Sequence, residues 1–113
     1  MNSCTGCYCT PRLAAESVEV TSGVLYSNET WVSRLTGKTE PFWFDVYRSN
    51  HTASDARLPA VMLIHGGGFN RGSKTDRTIV SEAHWLAQHG FVAYSISYRL
   101  TAAVGLPDVG SVR

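Results

Sequence analysis

Three consecutive glycines, Gly66, Gly67 and Gly68, follow an apolar run of strand type that ends at His65. Glycine has no Cβ, so such a run tolerates backbone angles closed to other residues and lets another group approach the backbone. A loop of this kind can direct several N–H groups at one point. Donors that converge at the end of a buried strand are what acyl-transfer chemistry uses to stabilise a developing oxyanion. The alternative is a tight strand-to-helix turn without a ligand, and the glycines alone do not separate the two.

Most other groups that could react lack the partners that their chemistry needs. The 113 residues contain no Gly-x-Ser-x-Gly sequence, which is the turn that presents a nucleophilic serine. A general base needs a nucleophile within hydrogen-bonding reach, so His65 is not expected to act as one. His51 and Asp55 share a polar segment, where a surface contact is a better interpretation than a catalytic dyad. His84 and His89 fall on a predicted helix, and we expect both to face solvent.

Metal and phosphate sites are only weakly indicated. Cys4, Cys7 and Cys9 could offer three thiolates to a soft metal, but a structural zinc site uses four ligands and the sequence has no second cysteine pair. The glycine spacing before Ser73-Lys74 is similar to that of a phosphate loop, but the order of these last two residues is reversed. We therefore predict neither a metal nor a cofactor.

Length and composition indicate one globular domain. The chain has 113 residues, of which 43% are hydrophobic and 17% charged, and its net charge of +1 gives no case for nucleic-acid binding. No apolar run approaches the ~20 residues of a membrane span. The N-terminus lacks the basic-then-apolar layout of a secretory signal, which makes the cytoplasm the default location. We expect a disordered, cysteine-containing tail over residues 1–16 and one domain over residues 17–113.

Strand patterns precede the glycines. Apolar residues from Val18 to Tyr26 predict a strand pair or one strand bent around Gly23, and Gly37-Lys38 marks a turn. Pro41–Arg48 is aromatic and β-branched and alternates as a strand does. One face of this strand carries three apolar side chains: Phe42, Phe44 and Val46.

A strand, a helix and a second strand follow. The apolar run Ala60–His65 predicts a strand covered on both faces. A helix should begin at Thr75 or Asp76 and stop at Gly90. Phe91–Tyr98 predicts the second strand. The apolar stripe of the helix comprises Ile79, Val80, Ala83, Leu86 and Ala87. Such a βαβ unit has parallel strands and a right-handed crossover, which places the glycines at the carboxyl edge where open α/β sheets bind ligands.

These motifs resemble a known enzyme family. His65-Gly66-Gly67-Gly68-Phe69 at a strand end is followed by Arg71-Gly72-Ser73-Lys74, a helix and Ser97-Tyr98-Arg99-Leu100. Together with Asp45-Val46-Tyr47-Arg48 upstream, they are similar to the N-terminal part of an α/β-hydrolase, of the hormone-sensitive-lipase-like and feruloyl-esterase-like carboxylesterases. The resemblance covers roughly residues 40–100. It implies an α/β fold with an incomplete α/β-hydrolase sheet, in which N-terminal antiparallel strands precede one βαβ crossover.

The resemblance also implies roles for the glycine loop. In the family, N–H groups of the glycine run form two arms of the oxyanion hole, and the N–H after the nucleophilic serine forms the third. The corresponding donors are Gly67 and Gly68, with His65, Gly66 and Phe69 as supports of the loop. The family's nucleophile, acid and base occur later in the chain order and correspond to no residue of this sequence.

The resemblance weakens beyond the second strand of the βαβ unit. Ser97 stands where the family usually has Asp or Asn, and Leu100-Thr101-Ala102-Ala103 replaces the usual Leu-Ala-Pro-Glu. The resemblance therefore predicts a fragment of a serine carboxylesterase that is inactive alone and acts on a small-molecule ester when completed. The alternative is a non-catalytic remnant, or an interaction module that self-associates through the open edge of the Ala60–His65 strand.

Overall fold

The computed structural model describes residues 17–34, 36–50 and 57–100 of the chain. Within them lie β1 (Val18–Val32), β2 (Thr39–Ser49), β3 (Ala60–Ile64), α1 (Arg77–Gln88) and β4 (Val92–Ile96). The strands form a mixed sheet in the order β1-β2-β4-β3. β1, β2 and β4 are antiparallel neighbours, whereas β3 runs parallel to β4. The predicted fold class is therefore confirmed. The predicted tail over residues 1–16 lies outside the described residues.

β1 is one bent strand. Its register against β2 shifts between Thr21 and Val24, and again between Leu25 and Thr30. Such bulges leave residues unpaired and bend the strand. The first bulge turns the N–H of Gly23 toward β2, where the carboxylate of Asp45 accepts it at 3.0 Å. The bend therefore orients the carboxylate of Asp45, which is also a partner of Lys74 near the candidate site.

A short turn joins β1 to β2, as Gly37-Lys38 predicts. The N–H of Ser33 donates to the carbonyl oxygen of Lys38 at 3.0 Å, and the N–H of Gly37 donates back to Ser33 at 2.7 Å. These two bonds close the hairpin and set the register of the two strands.

The helix packs on one face of the sheet through small residues. Ala83 and Ala87 of α1 are buried against Tyr47 of β2 and Ala93 of β4. Because alanine presents only a methyl group, these contacts bring the helix close to the strands. Four partly buried side chains surround this core: Val18, Leu63, Val80 and Leu86. The predicted apolar stripe of the helix therefore faces the sheet.

The expectation that both helix histidines face solvent is wrong. His89 is only 2% exposed, and its Nδ1 lies 2.6 Å from the carbonyl oxygen of Trp85. His84 is half-buried, with its ring edge-on to Tyr47 at a centroid distance of 5.3 Å. The chain turns back toward the sheet at Gly90, which has a positive φ. His89 and Gly90, which follow the helix, are therefore buried. Trp85 is the half-exposed residue instead, with its ring stacked on His89.

The opposite face of the sheet is apolar and has no helix over it in the part of the chain that the structure describes. The strand register aligns two rows of side chains on this face: Phe44, Ile96 and Ile64 in one, and Val46, Tyr94 and Met62 in the next. At the β3 end of these rows, Met62 is 62% exposed and Ile64 is 59% exposed. Among the described residues, α1 therefore covers only one face of the Ala60–Ile64 strand, whose apolar run is of the type covered on both faces.

The two edge strands of the sheet, β1 and β3, differ in whether they can pair with a strand of another chain. β1 carries bulges and two acidic residues, Glu19 and Glu29, which are features that discourage edge-to-edge association. β3 is short, uncharged and apolar throughout. Within the described residues β3 has β4 on one side and no strand on the other, so its outer edge can accept a strand.

Replacing Met62 with lysine tests this edge. We expect the 113-residue chain to self-associate reversibly in sedimentation velocity as its concentration rises. Met62→Lys should shift it toward monomer, because a charge on an edge strand opposes pairing. Val20→Lys puts the same charge at an exposed position of β1 and serves as the control. A wild-type chain that stays monomeric, or equal effects of the two lysines, would contradict the expectation.

Candidate functional site

The glycine loop leaves the sheet at the carboxyl edge of the parallel strand pair. β3 ends at Ile64 and β4 at Ile96, two residues that are register partners. The segments after them, 65–69 and 97–100, therefore lie side by side. Residues 72–75 lead from the loop into α1, whose N-cap is Asp76. This is the edge at which open α/β sheets bind ligands.

Contacts between His65 and Tyr98 fix the start of the loop. The Tyr98 hydroxyl donates to the carbonyl oxygen of His65 at 2.6 Å, and the two rings stack with centroids 4.3 Å apart. The buried His65 ring places Nδ1 2.9 Å from the carbonyl oxygen of Gly66. A carbonyl oxygen only accepts, so this contact requires a proton on Nδ1. One nitrogen of the imidazole is therefore engaged in holding the turn.

The protonation of Tyr98 suits this role. Burial raises the pKa of the Tyr98 phenol, and the negative charge of Asp76 raises this pKa further. A raised pKa means that the folded chain holds the proton more tightly than the unfolded chain does. The associated stability is complete below the ordinary tyrosine pKa of about 10 and is lost as the pH rises through the folded value. At neutral pH the hydroxyl is a donor.

Two glycines occupy positions in which a side chain would collide with the loop. Gly67 has a φ of 130°, and a Cβ there would lie 2.0 Å from the carbonyl oxygen of Arg71. Gly72 has a φ of 96°, and a Cβ there would lie 2.3 Å from the Gly66 oxygen and 2.6 Å from Nδ1 of His65. At Gly66 itself, no atom lies within 4 Å of such a Cβ. The loop is therefore folded on itself, with Gly72 against the His65–Gly66 turn.

The N–H groups of Gly67 and Gly68 take no part in the hydrogen bonds found among the described residues. The internal bond of the loop runs instead from the N–H of Asn70 to the carbonyl oxygen of Gly67, at 3.1 Å. Phe69 has a φ of 63°, which is left-handed for a residue with a side chain, and its ring meets Tyr98 edge-on. Strained backbone of this kind concentrates at functional sites. Two adjacent N–H donors of this loop are therefore without partners among the described residues.

A cavity of about 280 Å³ lies beside the loop. Its walls include the rings of Trp31, Trp43, Tyr98 and His65. The indole N–H of Trp31 is buried and has no hydrogen-bond partner among the described residues. An unsatisfied buried donor costs roughly 1–3 kcal/mol. The cavity lining thus combines aromatic residues with polar ones such as Ser97 and Lys74, a composition that small-molecule sites share.

Comparison with known proteins decides the family. The BD-FAE family model matches residues 44–110, which is more than half of the chain. The chain belongs to the BD-FAE family. It is therefore related to the esterase- and lipase-like α/β-hydrolases, as the His-Gly-Gly-Gly-Phe motif predicts.

Two further proteins are similar to this BD-FAE chain. The structure of brefeldin A esterase, titled a bacterial homologue of human hormone sensitive lipase, matches with a TM-score of 0.51 and 24% identity over 75% of this chain and 20% of that chain. This likeness shows the fold. Non-reducing polyketide synthase atr1 from Stereocaulon alpinum is 32% identical over 81 residues, which are 72% of this chain and 3% of that protein. The chain thus spans a small part of the length of each relative.

The structure brings together the residues that the sequence predicts for the loop. His65, Gly66, Gly67, Gly68 and Phe69 form one continuous turn at the sheet edge. Two further residues, to which the sequence analysis assigns no role, contact this turn: Gly72 and Tyr98. A third, Lys74, follows the turn and pairs with Asp45. All three occur in the motifs of the family resemblance, and this was the only sequence signal that could have pointed to them.

The remaining candidates do not join the loop. His51 and Asp55 lie outside the described residues, as do Cys4, Cys7 and Cys9. Within residues 17–34, 36–50 and 57–100, no cluster of three or more His, Cys, Asp or Glu side chains could hold a metal ion. No helix among these residues has the length and apolar character needed to cross a lipid bilayer.

An alanine at Gly72 tests the folded geometry of the loop. Gly72→Ala should lower the free energy of unfolding by about 1–3 kcal/mol or more. The added Cβ would collide with the carbonyl oxygen of Gly66, and the φ of this residue is left-handed. Gly66→Ala adds the same methyl group where nothing lies within 4 Å and should change stability by less than about 0.5 kcal/mol. Urea denaturation measures both. Equal effects would show that Gly72 is not packed against the turn.

Tyr98→Phe tests the hydroxyl contact separately from the ring stack. The variant should lose about 1 kcal/mol at pH 7, since it keeps the ring and leaves the His65 carbonyl without its donor. The difference from wild type should shrink at strongly alkaline pH, where the wild-type phenol ionises. Tyr94→Phe is the control, since the contact of Tyr94 with Phe44 involves the ring alone. A loss that does not change with pH would contradict the assignment.

Proposed function

We propose that this chain supplies the oxyanion-binding part of a serine hydrolase that cleaves carboxylic esters. The observation that carries the proposal is the pair of N–H groups at Gly67 and Gly68, which the described residues leave without partners at the carboxyl edge of the sheet. Membership of the BD-FAE family and the hydrolase-like fold support the same chemistry. The substrate class is a small-molecule ester.

The two amides act on the tetrahedral intermediate. When a serine hydroxyl attacks the ester carbonyl, the carbonyl oxygen becomes negatively charged, and preorganised N–H donors stabilise it more than they stabilise the ground state. Loss of one such donor typically lowers the rate by ~10²–10³. His65 supports the loop in this scheme, because its Nδ1 is bonded to the Gly66 oxygen rather than directed at a nucleophile. Gly66 and Phe69 complete the turn.

The nucleophile, acid and base come from residues other than these 113. The sequence has no Gly-x-Ser-x-Gly turn, and the chain spans only 20% of brefeldin A esterase and 3% of the polyketide synthase. Without serine and histidine, a hydrolase of this kind retains only its binding and oxyanion contributions. We therefore infer that residues 1–113 are inactive alone and contribute their loop to a longer polypeptide.

Two linked measurements test this function. The 113-residue chain should give no burst of p-nitrophenolate from a p-nitrophenyl acyl ester. A longer polypeptide that continues through the rest of the hydrolase domain should give a burst that a serine-directed phosphonate abolishes. A phosphonate-sensitive burst from the 113 residues alone would disprove the inferred inactivity.

The phosphonate adduct tests the two donors directly. Its charged oxygen occupies the place of the oxyanion, so the ¹⁵N–¹H resonances of Gly67 and Gly68 should shift when the adduct forms. Gly37, in the turn between β1 and β2, is the control glycine and should not shift. An adduct that leaves Gly67 and Gly68 unchanged would contradict the oxyanion assignment.

A second candidate function is that of an interaction module or non-catalytic remnant. The observation that favours it is the β3 edge, which is uncharged and has no strand beside it in the described part of the sheet. Such an edge can recruit an extended segment or a second copy of the chain by backbone hydrogen bonding. Under this alternative the glycine loop is a structural turn and binds no oxyanion.

A further inference from the structure

A buried ion pair lies below the glycine loop. The ammonium of Lys74 is 2.9 Å from both carboxylate oxygens of Asp45, and the two side chains are 12% and 2% exposed. The same ammonium lies over the ring of Trp43, 4.9 Å from its centroid. The N–H of Gly23, in the β1 bulge, donates to Asp45 at 3.0 Å. β1 and β2 together therefore fix the position of the Lys74 side chain.

The backbone of Lys74 is fixed by a different strand. The hydroxyl of Ser95, a buried residue of β4, donates to the carbonyl oxygen of Lys74 at 2.7 Å. Lys74 is thus attached to β2 through its side chain and to β4 through its main chain. A residue held at both ends cannot rotate or slide along the sheet edge without breaking one of these contacts.

Lys74 is two positions after Gly72, the residue that packs against the glycine loop. Gly72 packs so closely on the His65–Gly66 turn that a Cβ would lie 2.3 Å from the Gly66 oxygen. Ser73, between Gly72 and Lys74, donates its N–H to the carboxylate of Asp76 at 3.1 Å. Residues 72–76 therefore form a short segment, here called the strap, that is held by its own hydrogen bond. Because Lys74 is attached to the sheet, its position determines where Gly72 contacts the His65–Gly66 turn.

We propose that Lys74 and Asp45 are positioning residues for the oxyanion loop. Their pair holds the strap against the sheet, and the strap holds the Gly66 oxygen and the His65 ring, which sets the direction of the next two N–H groups. The proposal rests on the proposed function of those amides. A buried pair is in itself weak evidence for stability, because removing two charges from water offsets their attraction. The contribution of the pair is to fix the position of the strap relative to the sheet.

The test must separate positioning from stability. Lys74→Met alone leaves a buried carboxylate without its partner and is expected to destabilise the whole chain, whatever the role of the pair. The informative variant combines Asp45→Asn with Lys74→Met. It removes both charges at similar volume, and the side-chain oxygen of the introduced asparagine can still accept from the N–H of Gly23. Replacing both members of a buried pair costs less stability than leaving one of the two charges unpaired. Lys38→Met, at an exposed lysine of the hairpin turn, is the matched control.

The readout is the order of the loop in the 113-residue chain, measured by ¹⁵N relaxation. In wild type and in Lys38→Met, the Gly67 and Gly68 amides should have order parameters near the ~0.85 of rigid backbone. In the double variant they should fall below ~0.6, while those of β2 and β4 stay unchanged. An unchanged loop in the double variant overturns the proposal. So does an equal fall throughout the chain, since the pair would then serve general stability.

Catalysis separates the failure of this proposal from that of the proposed function. In a longer polypeptide with the nucleophile, the double variant should lower kcat for ester hydrolysis by ~10²-fold with little change in KM, as for a lost oxyanion donor. A loop that loosens without any loss of kcat would support positioning by Lys74 and Asp45 but would refute the oxyanion role of the glycines. A loop that stays ordered refutes the positioning role and leaves the oxyanion role standing.

Discussion

The close packing of Gly72 on the His65–Gly66 turn is the constraint on which the rest of the site depends. There is no room for a side chain at this contact, so the chain must return beneath its own glycine loop before α1 begins. The return brings the Lys74 ammonium to Asp45, and the N–H groups of Gly67 and Gly68 have no partners among the described residues. Tyr98 completes the arrangement from the segment after β4, because its hydroxyl reaches the same turn from the neighbouring strand end.

The two faces of the sheet differ in what covers them among the described residues. One face is closed by α1 through alanines and carries the buried charges, so the loop has a rigid base. The other face is aromatic and aliphatic and has no cover among the described residues, and the β3 edge beside the loop has no strand on its outer side. The chain belongs to the BD-FAE family and spans only 20% of the brefeldin A esterase chain that it matches in fold. The proposed oxyanion role and the open edge both concern the same end of the sheet, where β3 leads into the glycine loop.

Local patterns predicted most of the fold. The stripe on α1, the alternation of β2 and the glycines that end β3 and α1 all reflect the burial or the backbone angles of residues close in sequence. The apolar run of β3 signals that both faces need cover but does not show where the cover comes from, and the described residues supply it on one face only. The solvent exposure expected for His89 was wrong. The position of this residue depends on the turn at Gly90, which brings the helix end back to the sheet.

By itself, the sequence determined the strand–helix–strand order, the glycine loop at the carboxyl edge and the family resemblance, because these depend on residue types at short spacing. Only the tertiary structure decided which distant residues hold the loop. Asp45 and Lys74 are 29 positions apart, and His65 and Tyr98 are 33 apart, so no local period relates them. They meet because the antiparallel register of β2 with β4 places Asp45 opposite Ser95, and the parallel register of β3 with β4 aligns the carboxyl ends of those two strands. Pairing across a sheet is a property of the assembled strands, and the spacing of residues along one strand does not encode it.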